Sequence, residues 1–201
     1  MVLEPEQFEL KVTDDGWLSG ARRCLTDNAD ARPAGTAISL LVLHNISLPP
    51  GEFGGDAIEA FFCNRLDHSA HPWYENLRDL RVSAHLLIRR DGEVVQFVPL
   101  RERAWHAGRS AFEGEPECND YAIGIELEGT DYTPYTESQY QVLIDISRLL
   151  MACFPAILPG RIVGHEHIAP GRKTDPGPAF DWRYFLDHLA IMEAAGSRET
   201  S

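Results

Sequence analysis

The sequence predicts a mixed α/β fold in a single domain, with a central β-sheet flanked by helices. Residues 38–44 form a nearly continuous apolar run, which is typical of a strand covered on both faces. Two further apolar runs flank Asp91-Gly92, a dipeptide that favours a tight hairpin turn. Residues 136–154 carry apolar side chains at helical spacing. Because helices alternate with strands and one strand pair is antiparallel, we expect a mixed sheet.

The first part of the chain is predicted to be an arm that packs on the domain. Residues 1–37 are polar and contain turn-forming clusters of Asp, Asn and Gly, with Trp17 and Leu18 as the expected anchors. The first central strand follows and ends at His44. After a loop rich in Pro and Gly, Asp56 is expected to cap a short helix.

The middle of the chain alternates between regular and irregular segments. Residues 65–80 show no periodic pattern, so we expect them to be irregular. Residues 84–89 and 93–98 are the two strands of the predicted hairpin, and residues 121–128 are a further strand. A proline ends the helix of residues 136–154.

The last part of the chain completes the predicted domain. Residues 161–164 are expected to form a short strand. Asp181 is expected to cap a final helix over residues 182–195. We therefore assign the domain to residues 38–195 and expect residues 196–201 to be a disordered tail.

The bulk composition limits the class of protein. The chain has 201 residues, 44% of them hydrophobic, which is enough for one domain with a full core. Its formal net charge of −13 argues against general binding to nucleic acid or anionic membranes, which need basic surfaces. The acidic N-terminus lacks the apolar segment of a signal peptide, and no apolar run has the length that spans a bilayer. We therefore expect a cytoplasmic protein without nucleic-acid or membrane partners.

The loop at residues 164–177 is the most informative segment of the sequence. It contains two histidines, a lysine and Asp175 among three glycines and two prolines. Such a composition interrupts helices and strands, so these polar groups are expected on a constrained loop. Catalytic zinc sites use three protein ligands and keep a fourth position for water. The potential ligands in the chain are His44, His85, His106, His165, His167 and Asp175.

Several of these residues converge at strand ends, which favours a metal site over ordinary core or surface histidines. His44 and His165 both follow apolar strands, and Asp175 lies on the loop that begins at His165. The residues alone leave open whether His165 or His167 is the ligand.

Other polar residues have both a catalytic and a structural interpretation. Glu126 and Glu128 point to the same face of their strand. Either one of them is a general base near the metal, or both lie on the solvent-exposed face of an edge strand. Lys173 would stabilise an oxyanion or be a solvated surface lysine. Trp105 and His106, on a loop flanked by glycine, would stack on a flat ligand or pack on the core.

Five motifs in order resemble those of the AmpD-type N-acetylmuramoyl-L-alanine amidases. They are residues 43–55 (LHNISLPPGEFGG), 81–85 (RVSAH), 104–108 (AWHAG), 123–131 (IGIELEGTD) and 164–177 (GHEHIAPGRKTDPG). The resemblance extends from about residue 15 to residue 185. It implies the amidase fold shared with T7 lysozyme and the peptidoglycan recognition proteins, with residues 38–195 as the catalytic domain.

The resemblance also implies the roles of individual residues. One zinc ion would be held by His44, His165 and Asp175, so His167 would not be a ligand. Glu126 would be the catalytic base and Lys173 the oxyanion stabiliser.

The implied substrate is a small molecule, an anhydro-N-acetylmuramyl-peptide released in cytosolic cell-wall recycling. The bond that is hydrolysed would be the amide bond between the lactyl group of muramic acid and L-alanine. Asn45 and Arg81 would hold the stem peptide, and Trp105 would face the muramyl sugar. Such enzymes limit the muropeptide signal that induces β-lactamase in some bacteria, and we expect a monomer. The alternative is a muropeptide-binding protein of the same fold without catalytic activity.

Overall fold

The computed structural model describes residues 10–190, in which we find ten strands and four α-helices. The strands are β1 (Arg22–Arg23), β2 (Ala29–Asp30), β3 (Leu40–Ile46), β4 (Leu86–Ile88), β5 (Val94–Gln96), β6 (Arg103–Ala104), β7 (Ala111–Phe112), β8 (Glu115–Pro116), β9 (Ala122–Glu128) and β10 (Ile162–Gly164). The α-helices are α1 (Ala57–Phe62), α2 (Glu137–Cys153), α3 (His165–Ile168) and α4 (Trp182–Ala190). Short 3-10 helices cover Pro72–Leu77, Cys118–Asp120 and Pro159–Arg161.

The central sheet is mixed, as predicted. Its six strands lie in the order β1-β5-β4-β9-β3-β10, and β4 and β5 form the antiparallel hairpin around Asp91-Gly92. The other neighbouring pairs are parallel. β3 and β9 pair along their whole length, so His44 lies directly opposite Glu126.

The two faces of the sheet are covered by different elements. On one face, alternate residues of β3 and β9 such as Leu43 and Ile125 pack in a core with Leu143 and Ile146 of α2. The intervening residues point to the opposite face because side chains alternate along a strand. His44 and Glu126 therefore lie on the face away from α2.

Helix α2 begins with a capping box. The hydroxyl of Thr136 accepts the backbone N–H of Gln139, and the side-chain oxygen of Gln139 accepts the backbone N–H of Thr136. The predicted helix of residues 136–154 is thereby confirmed. The final helix is also confirmed up to residue 190, since Asp181 Oδ1 accepts the backbone N–H of Tyr184 at 2.8 Å.

Some local predictions were wrong. Asp56 precedes α1, but its side chain makes no capping hydrogen bond. The segment taken as irregular contains the 3-10 helix Pro72–Leu77, which the proline at its start favours. The loop at residues 164–177 begins with the single helical turn α3, since its prolines and glycines follow rather than interrupt that turn.

The arm contributes to the sheet as well as packing on it. Trp17 and Leu18 are buried, and β1 joins the central sheet beside β5. Arg22 of β1 pairs with Glu59 of α1, whose pKa is lowered to about 2 by hydrogen bonds from Arg22 and Arg89 despite partial burial. Residues 1–9 of the arm, the end of the predicted last helix and the predicted tail at 196–201 lie outside the described residues. Within residues 10–190, no helix has both the length and the apolar character required to cross a bilayer.

Candidate metal centre

Three side chains from distant parts of the sequence meet at the carboxyl ends of β3 and β10. His44 lies near the end of β3, His165 follows β10 directly, and Asp175 comes from the loop beyond α3. The Nδ1 atoms of the two histidines are 3.0 Å apart, and each is 3.0 Å from Asp175 Oδ2. They are the group of potential metal ligands found among residues 10–190.

The donor set and its spacing fit a zinc ion. Two imidazole nitrogens and one carboxylate oxygen are ligands that zinc accepts, with a fourth position left for water. Ligand atoms of a tetrahedral zinc with bonds of about 2.0–2.2 Å are separated by about 3.3–3.6 Å. The observed 3.0 Å separations are a few tenths of an ångström shorter, so a small outward shift would admit the ion.

The protonation states also suit metal binding. Burial lowers the pKa of His44 to about 4, so its imidazole is neutral at pH 7. Burial acts to raise the pKa of Asp175, but hydrogen bonds with His165 and His44 outweigh it and lower the pKa below its usual value. A neutral imidazole and an ionised carboxylate are the forms that bind zinc.

The far nitrogen of each histidine lies within hydrogen-bond distance of another group. His165 Nε2 donates to the carbonyl oxygen of Ala107 at 3.0 Å. His44 Nε2 lies 3.0 Å from His106 Nδ1. Because a neutral imidazole carries one proton, a proton on each Nε2 leaves both Nδ1 atoms free to bind a metal.

His167 is excluded from the group by its orientation. Its Nδ1 accepts the backbone N–H of Gly164 at 2.9 Å, and about half of its side chain is exposed. Of the two histidines that the residues left open, His165 is the one that lies in the group of potential ligands.

The two glutamates of β9 have different surroundings although they share a face. β9 is a central strand, which excludes the edge-strand interpretation. Glu128 is 2% exposed and accepts the backbone N–H groups of Gly54 and Arg90, close to the guanidinium of Arg89. It is therefore a structural anchor for two loops.

Glu126 lies opposite His44, beside the group of potential ligands. It is 8% exposed, and its Oε2 makes no hydrogen bond within the described part of the chain. Burial and the nearby carboxylate of Asp175 raise the pKa of Glu126 well above its usual value, and the charge of Lys173 partly offsets them. Its position opposite His44 therefore gives the site a carboxylate able to hold or release a proton.

A cavity of about 480 Å³ opens onto this group. Lys173 is exposed and lines the cavity together with Glu126 and the three potential ligands. One wall of the cavity is apolar and is formed by side chains of α1 and of the 3-10 helix Pro72–Leu77. These side chains are Phe61, Phe62, Trp73 and Leu77. The cavity therefore combines a polar reaction centre with a surface that suits a flat or apolar part of a ligand.

The predicted substrate-binding residues are placed differently. Asn45 lines the cavity, and its side-chain amide donates to Asp131 Oδ1 at 2.8 Å and to the carbonyl of Pro176 at 3.1 Å. Arg81 and Trp105 are not among the residues that line it. Arg81 is exposed and donates to the carbonyl of Leu80, and the buried indole N–H of Trp105 has no acceptor in the described residues.

Sequence reasoning missed Trp73, which is 36% exposed and lines the cavity. An aromatic pair, Trp73-Tyr74, in a segment without periodicity was the available signal. The ring of Tyr74 is buried and anchors the 3-10 helix, whereas the ring of Trp73 lies at the cavity.

Two glycines allow the loop at 164–177 to close on the site. A Cβ on Gly164 would lie 2.7 Å from Pro176 Cδ, and one on Gly177 would lie 2.3 Å from Asp131 Cα. Gly177 also has a φ of +80°, a backbone conformation that residues other than glycine rarely adopt. The glycines therefore permit the close backbone approach that brings Asp175 back to His165.

Comparisons with known proteins agree in family and in fold. Residues 34–178 match the family model described as N-acetylmuramoyl-L-alanine amidase. The chain is 58% identical over 180 residues to the 1,6-anhydro-N-acetylmuramyl-L-alanine amidase AmpD of Salmonella typhimurium, covering 90% of this chain and 96% of that protein.

Two solved structures extend the comparison. A crystal structure of an AmpD selenomethionine derivative superposes with a TM-score of 0.85 at 55% identity, covering 87% of this chain and 97% of that one. The Escherichia coli amidase AmiD, solved with the substrate anhydro-N-acetylmuramic acid-L-Ala-D-γ-Glu-L-Lys, has a TM-score of 0.56 at 28% identity. That match covers 88% of this chain and 65% of AmiD.

Proposed function

The chain belongs to the N-acetylmuramoyl-L-alanine amidase family, and from this premise we propose how its residues carry out the reaction. It is an amidase that cleaves the bond between the lactyl group of anhydro-N-acetylmuramic acid and L-alanine in muropeptides. The observation that carries this function is the cluster of His44, His165 and Asp175 with Glu126 beside it at the bottom of the cavity.

The proposed cofactor is one zinc ion held by His44 Nδ1, His165 Nδ1 and Asp175 Oδ2. The neutral imidazole of His44, the ionised carboxylate of Asp175 and the 3.0 Å separations of the three atoms support this assignment. Bound zinc would supply Lewis acidity, which stabilises negative charge on oxygen and makes water acidic near neutral pH.

Two side chains of the protein would act in the reaction, one by transferring a proton and one by stabilising negative charge. Glu126 takes a proton from the attacking water on its carboxylate and returns it to the nitrogen of the departing alanine. Its raised pKa suits this exchange, since a more basic carboxylate accepts a proton from water more readily. Lys173 donates to the oxyanion that forms on the former carbonyl oxygen.

The substrate would be held by side chains that line the cavity. Asn45 would contact the stem peptide, and its position in the cavity lining supports this role. Contacts of Arg81 with the peptide and of Trp105 with the sugar remain predictions from the resemblance. So do the 38–195 domain boundaries, a monomeric state, the cytoplasmic location and an influence on β-lactamase induction.

The function is tested by mass spectrometry of an anhydro-muramyl-tripeptide incubated with the protein. We expect free anhydro-N-acetylmuramic acid and free tripeptide, loss of both products when a chelator is added, and their return when zinc is restored. Unchanged substrate that co-purifies with the zinc-loaded protein would instead identify the alternative, a binding protein without catalysis.

Replacing Lys173 by Met should lower kcat by roughly a hundredfold, because an oxyanion would lose a charged donor. Zinc content should stay at the wild-type level, since Lys173 is not one of the proposed ligands. Steady-state kinetics and metal analysis on the same preparation measure both quantities.

The matched control is the same substitution at Lys11, the other lysine of the chain. Lys11 is exposed in the arm and does not line the cavity, so its replacement should leave kcat unchanged. A Lys173→Met protein with full zinc and wild-type turnover would remove Lys173 from the mechanism.

A further inference from the structure

We infer that His106 is a positioning residue for the amidase reaction: its Nδ1 accepts the Nε2–H of His44 and thereby presents Nδ1 of His44 to the metal. This role goes beyond the ligand set and rests on the proposed binding of zinc by His44, His165 and Asp175. It assigns a task to the histidine of the AWHAG motif, which the mechanism above does not use.

Binding of a metal by His44 Nδ1 requires this direction, although it leaves the buried Nε2–H of His106 without an acceptor in the described residues. His44 Nδ1 is the atom that lies 3.0 Å from His165 Nδ1 and from Asp175 Oδ2, so it must be the nitrogen without a proton when a metal is bound. The single proton of the neutral ring is then on Nε2, which lies 3.0 Å from His106 Nδ1. His106 Nδ1 must therefore be an acceptor, and the proton of His106 is on its Nε2.

His106 is not itself a further ligand. Its nearest contact with the group is through the Nε2 of His44, on the side of that ring opposite to the ligand nitrogen. The two rings meet edge to face, with centroids 5.1 Å apart and an interplanar angle of 81°. The geometry is that of a second imidazole behind a ligand, where such partners orient the ring and increase its basicity.

The fold holds His106 in place from two directions. Gly124 of β9 leaves room for the ring, since a Cβ at that position would lie 2.4 Å from His106 Cγ. The side-chain oxygen of Asn119 accepts the backbone N–H groups of His106 and Ala107, at 3.1 and 2.8 Å. His106 is 9% exposed and is one of the residues that line the cavity.

The neighbouring residue supports the second histidine ligand in the same way. The carbonyl oxygen of Ala107 accepts from His165 Nε2 at 3.0 Å. Two consecutive residues, clamped by one asparagine, thus orient both imidazoles of the centre. The side chain of His106 is the part of this arrangement that substitution can remove without altering the backbone acceptor.

The test compares His106→Leu with His106→Asn in the full-length protein. Leu fills similar space but accepts no hydrogen bond, whereas the side-chain oxygen of Asn lies near the position of Nδ1 and accepts one. Zinc dissociation constants are measured by competition with a chromophoric chelator, and the visible spectrum of the cobalt-substituted protein reports on ligand geometry.

We expect the Leu variant to bind zinc roughly 10- to 100-fold more weakly than the wild type and to show a shifted cobalt spectrum. The Asn variant should remain within a few-fold of the wild-type dissociation constant and keep its spectrum. Should the Leu variant fail to fold, His106→Ala carries the same expectation, because it removes the acceptor without filling the space beside Gly124.

Wild-type zinc affinity in the folded Leu or Ala variant would overturn the inference, and so would equal weakening by Leu and Asn. Both results leave the proposed function intact if the wild type binds zinc and cleaves the muropeptide. A wild-type protein that binds no zinc would overturn the ligand assignment and this inference together.

Discussion

Replacing Asp175 by Ala is expected to abolish zinc binding and amidase activity together. Asp175 provides the one carboxylate oxygen of the proposed ligand group, 3.0 Å from both ligand nitrogens. Its removal leaves two imidazoles, and the affinity for zinc should fall by more than the roughly 100-fold that loss of an outer partner costs. Metal analysis after dialysis, together with the muropeptide assay, measures the loss.

The suitable control is Asp131→Ala. Asp131 lines the same cavity and accepts from Asn45, but it is outside the ligand group. That variant should keep stoichiometric zinc whatever happens to its KM. Full zinc content in Asp175→Ala would show that the ion is held by other residues, and the proposed centre would be wrong.

Replacing Glu126 by Gln is expected to lower kcat by about 10²- to 10⁴-fold while the protein retains its zinc. The amide has almost the shape of the carboxyl group but cannot accept and return a proton at pH 7. Because Oε2 of Glu126 makes no hydrogen bond within residues 10–190, the substitution should change the stability of the fold little. Single-turnover kinetics on zinc-loaded protein separate the loss of chemistry from changes in binding.

The same substitution at Glu128 provides the matched control on the same face of β9. Glu128 accepts backbone N–H groups of two loops and lies 3.5 Å from Arg89 Nη1, so Glu128→Gln weakens buried hydrogen bonds, while Arg89 keeps its ion pair with Glu59 at 2.6 Å. We expect a loss of about 1–3 kcal/mol in the free energy of unfolding, with kcat close to the wild-type value. If Glu128→Gln is inactive although folded and Glu126→Gln is active, the catalytic carboxylate has been assigned to the wrong residue.

Local patterns in the sequence predicted most of the regular structure. The apolar run before His44, the Asp91-Gly92 turn and the helical spacing of residues 136–154 each depend on neighbours within a few positions along the chain. The observed β3, the β4–β5 hairpin and α2 follow these signals within one or two residues at most of their ends. The 3-10 helix at Pro72–Leu77 was missed because its side chains are ordered by packing against the core rather than by their own periodicity.

The candidate site was predictable only in part. Polar residues at strand ends indicated where the site would be, and the motif resemblance implied which residues have which role. Strand alternation placed Glu126 and Glu128 on one face but could not distinguish their roles. The two differ in their contacts, because Arg89 and Gly54 contact Glu128 only. Arg81 and Trp105 carry a family motif, yet the cavity lining includes Trp73 and neither of them.

The sequence by itself determined the elements, the mixed sheet and the supply of metal-binding side chains, because these follow from residue types and from short-range spacing. The tertiary structure decided what residue types left open: His165 rather than His167 turns toward His44, as the motif resemblance implied, and His106 lies behind His44. Those outcomes depend on distances between atoms more than fifty positions apart in the chain. Such distances arise from strand register, from the closure of the loop around Gly164 and Gly177, and from the space left by Gly124.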